Sequence, residues 1–394
     1  MTAVPVAEPG ALEESVRKEA RALGFDLAGI AAPEPSTHLP FYRDWLDAGR
    51  HGEMGYLARA DAVERRADLR GTLPGVRSLV VVGMDYSSGS DPAESDPSVG
   101  IVARYARGRD YHRVLKAGLL SLAERIEARV GRPVGARAYV DTGPILERDL
   151  ARRAGLGWFG KSTMLVHPRR GSWFFLGVLL LDLELTPDDA FGPDRCGSCT
   201  RCLDACPTGA LLGRDESGAP VIDATRCISY LTIEQRGPIP RELRAALGNR
   251  IYGCDICQEV CPFNGPKFVQ LTREPDLRPR SGMSFPALLD LIAMDEAAWD
   301  AFSRGSAVRR AGRPGFLRNV AVALGNWGSE TAVPALARAL QDVEPLVRGH
   351  AAWALGRVGS SEAHAALEAR RAVERDAFVR EELEQALELT ARAS

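Results

Sequence analysis

The sequence predicts a multidomain α+β protein. An N-terminal α+β domain spans residues 1–185, a cysteine-bearing domain 186–270 and a C-terminal α-solenoid 271–394. Three observations carry this reading. Helical and strand-like patterns mix up to about Leu185, all eight cysteines fall between Cys196 and Cys261, and the last third repeats itself at an offset of thirty residues. With 394 residues the chain is long enough for two or three domains, each with its own core.

In the first domain, Leu12, Val16, Ala20 and Leu23 share one face of a helix that Gly24 stops. Phe41 to Gly49 reads as a second helix, and Ser78 to Val82 as a buried strand. Ser87 to Val99, rich in Ser, Asp and Pro, reads as a loop. Val114, Leu115, Leu119, Leu122, Ile126 and Val130 mark a long amphipathic helix that Gly131 ends. Arg137 to Val140 is strand-like. After Asp141-Thr142-Gly143-Pro144 comes a helix carrying Ile145, Leu146 and Leu150, with Pro144 suited to its first turn. Gly155 to Gly160 is a glycine-rich loop, and the apolar run Trp173 to Leu181 is another strand.

The cysteines have a specific spacing. Cys196, Cys199, Cys202 and Cys206-Pro207 follow C-x2-C-x2-C-x3-C-P, the bacterial-ferredoxin arrangement for [4Fe–4S] clusters. A second run, Cys254, Cys257 and Cys261-Pro262, lacks its first member, and Cys227 is the one thiol left to replace it. In such pairs the last cysteine of a run serves the other cluster. The expected sets are therefore Cys196, Cys199, Cys202 and Cys261 on one cluster and Cys206, Cys227, Cys254 and Cys257 on the other. Zinc ribbons usually present two separate C-x2-C pairs, and disulfides need an oxidising compartment that nothing here suggests.

In the solenoid, Leu317-Arg318 to Gly325 and Gly328 recur as Val347-Arg348 to Gly356 and Gly359, with a weaker third copy from Val379. Each copy reads as a helix, a Gly turn and a second helix such as Ala332 to Leu340, which resembles HEAT-like repeats.

The formal net charge of −2 gives no bulk argument for nucleic-acid binding. Met1 to Gly10 has no signal-peptide pattern and no apolar run is long enough to span a membrane, so a cytoplasmic protein without membrane contact, and a monomer, is expected. Gly155-Leu-Gly157-Trp-Phe-Gly160-Lys161 lacks phosphate-loop spacing, and no dinucleotide fingerprint follows the first strand. Asp141 lies at a strand end before a helix, where capping competes with catalysis as an explanation.

Taken in order, several segments resemble the epoxyqueuosine reductase family of cobalamin-dependent iron–sulfur tRNA-modification enzymes. They are Gly55-Tyr-Leu, Glu64-Arg-Arg66, Gly108-Arg-Asp-Tyr-His112, Val140-Asp-Thr-Gly143 and Gly160-Lys-Ser-Thr163. The cysteine runs, Cys227-Ile-Ser-Tyr-Leu-Thr232, Gly248 to Asp255 and the C-terminal repeats complete the set. The resemblance implies reduction of epoxyqueuosine to queuosine at the wobble position of tRNA. It implies base-off cobalamin between the α+β and cluster domains, electrons passing through two [4Fe–4S] clusters from an external donor such as a ferredoxin or flavodoxin, and Asp141 as proton donor with a raised pKa. Implied corrin contacts are Arg66, Ala103, Asp141, Ser162, Leu165, Leu176, Ser229, Cys254 and Asp255. Implied tRNA contacts are Gln235 and Arg236. Tyr111 and His112 could assist proton supply, with helix-start packing the plainer role for His112. Competing readings are another corrinoid iron–sulfur reductase, such as a reductive dehalogenase, and an electron-transfer protein with docking repeats.

Arg304 to Arg318 contains five arginines and no acidic residue. Its Gly305, Gly312, Pro314 and Gly315 suggest a loop that could follow a phosphate backbone. Arg309, Arg310 and Arg313 are expected phosphate contacts, whereas Arg318 and Arg348, at matching repeat positions, are expected to tie the repeats together.

Overall fold

A computed structural model describes residues 10–89 and 96–393. The absent signal pattern at residues 1–9, and the part of the Ser87–Val99 loop over 90–95, lie outside the described residues. Four antiparallel strands form the main sheet, in the spatial order Leu27–Ala31, Ser78–Asp85, Phe174–Leu181, Ala136–Tyr139. The two central strands are apolar along their length because both faces of the sheet are covered. Val80, Val82, Leu179 and Leu181 pack beneath the helices Ala11–Ala22 and Tyr111–Val130. Leu79, Val81, Val178 and Leu180 pack against Leu150 and Ala151 of the helix Glu147–Arg153. Each fully buried aliphatic of this kind contributes about 1.5–3 kcal/mol.

The expected helices and strands are present with shifted ends, and one edge strand, Leu27–Ala31, carried no distinct sequence signal. Two expectations are corrected. Pro144 does not open a helix, because the chain stays irregular until Glu147. The arginine-rich stretch is not mainly loop: a 3-10 turn covers Ala307–Ala311, and the first repeat helix runs Gly312–Trp327. Pro314 fits there because the first turn of a helix needs no N–H at that position.

The repeat helices Gly312–Trp327, Pro345–Val358 and Ala377–Ala393 stack on one another. Gly328 and Gly359 end the first two in the left-handed conformation. Gly325 and Gly356 sit within the helices, where a Cβ would lie 2.5 Å from Trp353 and 2.8 Å from Ala386 respectively, so glycine sets how closely neighbouring repeats approach.

The repeats share one apolar core with the segment Ile228–Tyr252 of the cysteine domain, so packing does not break at the expected boundary near 270. Buried Arg318, expected to tie repeats to one another, instead braces this junction by donating to the carbonyls of Leu231, Gln235 and Gly237. Arg244 forms a two-pronged pair with Glu382 of the last helix, at 2.9 and 2.7 Å.

Candidate active site

Asp141 lies just beyond the edge strand Ala136–Tyr139, in left-handed backbone with φ 59°, an unusual conformation for a residue with a Cβ. Its own N–H donates to Glu147 Oε1 at 2.6 Å, which fixes the loop to the following helix. Its Oδ2 accepts from the Tyr111 hydroxyl at 2.8 Å and stands 3.4 Å from His112 Nε2. The carboxylate is 64% exposed, at the wall of a cleft. Tyr111 and His112 begin the long helix, which Asp110 caps through the His112 N–H. Tyr111 is wedged face to face against Phe175 at 4.1 Å, so its hydroxyl is held in place.

The raised pKa expected for Asp141 is not found. The Asp141 side chain is open to the cleft, yet the protein crowded around it displaces bulk water and tends to raise its pKa; hydrogen bonding from His112 and Tyr111 and the charge of His112 outweigh this and hold the carboxyl below its ordinary value. Burial disfavours the charged imidazole of His112, yet hydrogen bonds to Asp110 and Asp141 lift it to about 9. At neutral pH the stored proton therefore resides on His112, and Asp141 is the anion beside it. His112 keeps the helix-start position expected of it and also stands beside Asp141. Glu147 is pushed up to about 8 by burial and by the Asp141 charge.

A cavity of about 300 Å³ opens beside Asp141. Its lining is largely apolar, with Phe41, Tyr42, Trp45, Ile145 and Phe159, while Arg66, Asp141, Glu147, Arg148 and Asp149 are its charged members. Its far wall is Ala219, Pro220 and Ile222 of the cysteine domain, and Trp45 Nε1 donates across the junction to the Ile222 carbonyl at 2.6 Å. The Arg66 guanidinium lies over the Tyr42 ring at 5.3 Å. On the opposite side His38 Nδ1 meets the buried carboxylate of Asp149 at 2.7 Å.

The other expected corrin contacts are distributed around this cleft. Ser162 is buried beside Thr163, which lines the cavity from a small hairpin pairing Trp158–Phe159 with Leu165–Val166. Leu165 and Leu176 belong to the apolar layer that also contains the lining residue Ile145. Ala103, Ser229, Cys254 and Asp255 stand on the cysteine-domain side and do not line the cavity. Asp255 Oδ2 accepts from the Arg104 N–H at 2.7 Å, and the adjacent Tyr105 contacts both Tyr252 and Tyr111 edge to face or tilted. Aromatic rings thus connect the Cys254 loop to the hydroxyl on Asp141.

The eight cysteines are free and half-buried, in two neighbouring groups. Cys202 lies among Cys196, Cys199 and Cys261. Cys227 lies near Cys206, and Cys254 and Cys257 lie near Cys227. Cys257 is also within reach of Cys202, so the groups adjoin. Burial pushes the Cys227, Cys254 and Cys261 thiols upward, so as thiolates they need a compensating cation. Among the described residues no three His, Cys, Asp or Glu side chains gather tightly enough for a single metal ion. A cube places each thiolate on a different iron and so uses ligands set further apart.

Of the expected RNA contacts, Arg313 is corrected. Its guanidinium is 10% exposed and bonded to Asp342 and the Met294 carbonyl, so it joins repeats and does not face solvent. Arg309 and Arg310 remain at the surface, paired with Asp300 and Glu234. Arg236 is exposed and donates to the carbonyls of Arg310 and Ala311, while the Gln235 side chain turns back to Pro238.

Three family models match: the epoxyqueuosine reductase QueG model over residues 66–142, a 4Fe-4S double cluster binding domain over 195–264, and HEAT repeats over 305–388. An epoxyqueuosine reductase of Xanthomonas campestris is 45% identical over 349 residues, covering 87% of this chain and 95% of the relative. The chain belongs to the epoxyqueuosine reductase family. The double-cluster match, over 195–264, takes in all eight cysteines and supports two [4Fe–4S] clusters. The Pseudomonas aeruginosa epoxyqueuosine reductase is 42% identical, covering 92% of this chain and all of the relative. A crystal structure of an epoxyqueuosine reductase with an epoxyqueuosine-modified tRNA-Tyr stem loop superposes with a TM-score of 0.87 at 32% identity, covering 96% of this chain and 99% of the other. The Bacillus subtilis epoxyqueuosine reductase, captured with its aspartate catalytic loop swung out of the active site, gives 0.86 at 31%, covering 96% and 98%. Within this family's frame, the Glu147 contact and the His38–Asp149 pair were missed from sequence. The only hint was charged Glu147-Arg148-Asp149 in a helix otherwise read from its apolar residues.

Proposed function

We propose that this chain reduces epoxyqueuosine in tRNA to queuosine in the cytoplasm, with base-off cobalamin beside Asp141. The whole-length likeness to epoxyqueuosine reductases carries the reading. The cavity supports the cofactor: a largely apolar cleft at the domain junction, with Arg66, Asp141, Glu147, Arg148 and Asp149 as its charged groups, offers an apolar face and polar anchors to a macrocycle with polar rim substituents. Bound there, cobalamin would supply a strongly reducing cobalt, held by the cavity residues with Ser162 close by; Ala103, Ser229 and Cys254–Asp255, on the cysteine-domain side, would reach it only where it extends beyond the cavity.

The overall step consumes two electrons and two protons. Both epoxide C–O bonds break, a C=C bond forms and the oxygen leaves as water. His112 holds one proton at Nε2, directed to Asp141, and Asp141 relays it towards the leaving oxygen. Tyr111, clamped by Phe175, fixes the carboxylate orientation. An external one-electron donor, a ferredoxin or flavodoxin, delivers electrons to the clusters. Arg236 and Arg309 contact substrate phosphates, which position the RNA without reading its sequence.

Anaerobic turnover of an epoxyqueuosine stem loop, with iron–sulfide and cobalamin supplied separately and together, tests this reading. Product should require both. Full turnover without cobalamin would remove the cofactor from the proposal.

A further inference from the structure

We infer that Tyr56 and Arg310 form a stacking platform for an unpaired nucleobase flanking the modified guanine. This rests on the tRNA reading above and adds a base-binding subsite to it. Tyr56 is 45% exposed, one of a small number of exposed large apolar side chains among the described residues. A single exposed tyrosine needs no explanation by itself. Its setting distinguishes this one.

Tyr56 sits in the 3-10 turn Gly55–Leu57, which is tied on both sides. The Tyr42 hydroxyl donates to the Leu57 carbonyl at 2.8 Å, and the Glu53 N–H donates to the Tyr230 hydroxyl at 2.8 Å. Leu57 lines the cavity that holds Asp141, so the Tyr56 ring stands at its rim. The Arg310 guanidinium lies over that ring, 5.5 Å from its centre. Arg310 is itself anchored: its Nε and Nη2 bond both oxygens of Glu234, at 3.0 and 2.9 Å. That edge of the fork is therefore occupied and is a poor phosphate chelator. The Arg310 side chain nonetheless stays 51% exposed, beside the tyrosine ring.

All three parts of the chain meet here. Tyr56 comes from the α+β domain, Glu234 from the cysteine domain and Arg310 from the entry to the repeats. Exposed Arg236 lies beside the platform, because its guanidinium donates to the Arg310 carbonyl. An aromatic face and a guanidinium plane, held rigid and edged with a cation, form the surface on which single-stranded bases stack in a sequence-tolerant way. A base that leaves its stack to enter the cavity exposes its neighbour at the rim, where this platform receives it.

The test uses the full chain, reconstituted anaerobically with clusters and cobalamin. The probe is an epoxyqueuosine anticodon stem loop with 2-aminopurine at the position next to the modified guanine. Tyr56→Phe should match the unaltered chain in affinity and in 2-aminopurine emission. Tyr56→Ala should lose roughly five- to a hundred-fold in affinity, with the emission change abolished. Unchanged affinity and emission in Tyr56→Ala would overturn the platform. So would loss of bound cobalamin as that variant's main defect, which would place the ring against the cofactor. Turnover by the unaltered chain is read separately. Oxygen removal with an indifferent Tyr56→Ala sinks only the platform, whereas affinity loss without any turnover keeps the platform and sinks the reductase reading.

Discussion

At the scale of single residues, the chemistry turns on where one proton sits. Asp141 is anionic because His112 and Tyr111 both point hydrogen-bond donors at it, and His112 is cationic because Asp110 and Asp141 flank it. Asp141→Asn should keep clusters and RNA binding but lose about a hundred- to ten-thousand-fold in turnover. Wild-type turnover in that variant would reduce Asp141 to a structural role. The pair also predicts a pH profile. The folded-state pKa of His112 is raised, so its proton is retained through neutrality and lost as pH rises through about 9. The stabilisation from this pair is likewise complete below the ordinary imidazole value, about 6.5, and fades across the same window. Ring-proton NMR of His112 should titrate near 9 and move down in Asp141→Asn. A ring titrating at its ordinary value in the parent chain would contradict the dyad.

At the scale of elements, the cysteine runs were the most legible part of the sequence, because cluster ligation fixes residue type and spacing together. Cys227 is isolated in sequence and finds its partners only through the fold. Cys227→Ala should lower the iron content from about eight atoms to about four, leaving the other cluster intact; eight iron atoms in the variant would refute its ligand role. Strands buried on both faces, such as Ser78–Asp85, were visible as apolar runs. The short edge strand Leu27–Ala31 was not, because five residues with two glycine- or alanine-flanked apolars carry no periodicity. The Asp141 loop was readable as a strand end but not as a dyad, since His112, twenty-nine positions away, completes it. The arginine-rich segment misled for a related reason. Its glycines and proline suggested a loop, whereas Gly312 and Pro314 start a helix and Arg313 is captured by Asp342, which sequence alone could not pair with it.

At the scale of the whole molecule, cluster segment and repeats share one core, cross-braced by buried ionic groups. Arg244 and Glu382 are both nearly inaccessible, so Glu382→Ala leaves a buried guanidinium without its anion. That loss should cost about 3–5 kcal/mol, read as a lowered chemical-denaturation midpoint. A midpoint equal to the parent's would mean the last helix is not locked to the cluster segment. RNA docking belongs to this scale too. Replacing Arg236 and Arg309 with Ala should weaken stem-loop binding and flatten its salt dependence by roughly 0.7–0.9 log–log units per lost phosphate contact. An unaltered salt slope would place the RNA on another face. The most direct test of the central claim is mass spectrometry of an epoxyqueuosine stem loop after anaerobic incubation with the reconstituted chain and a low-potential electron donor. The account predicts a product lighter by one oxygen atom, with the alkene of queuosine in its place. An RNA that keeps its oxygen, or gains hydrogen across an opened epoxide instead, would contradict it.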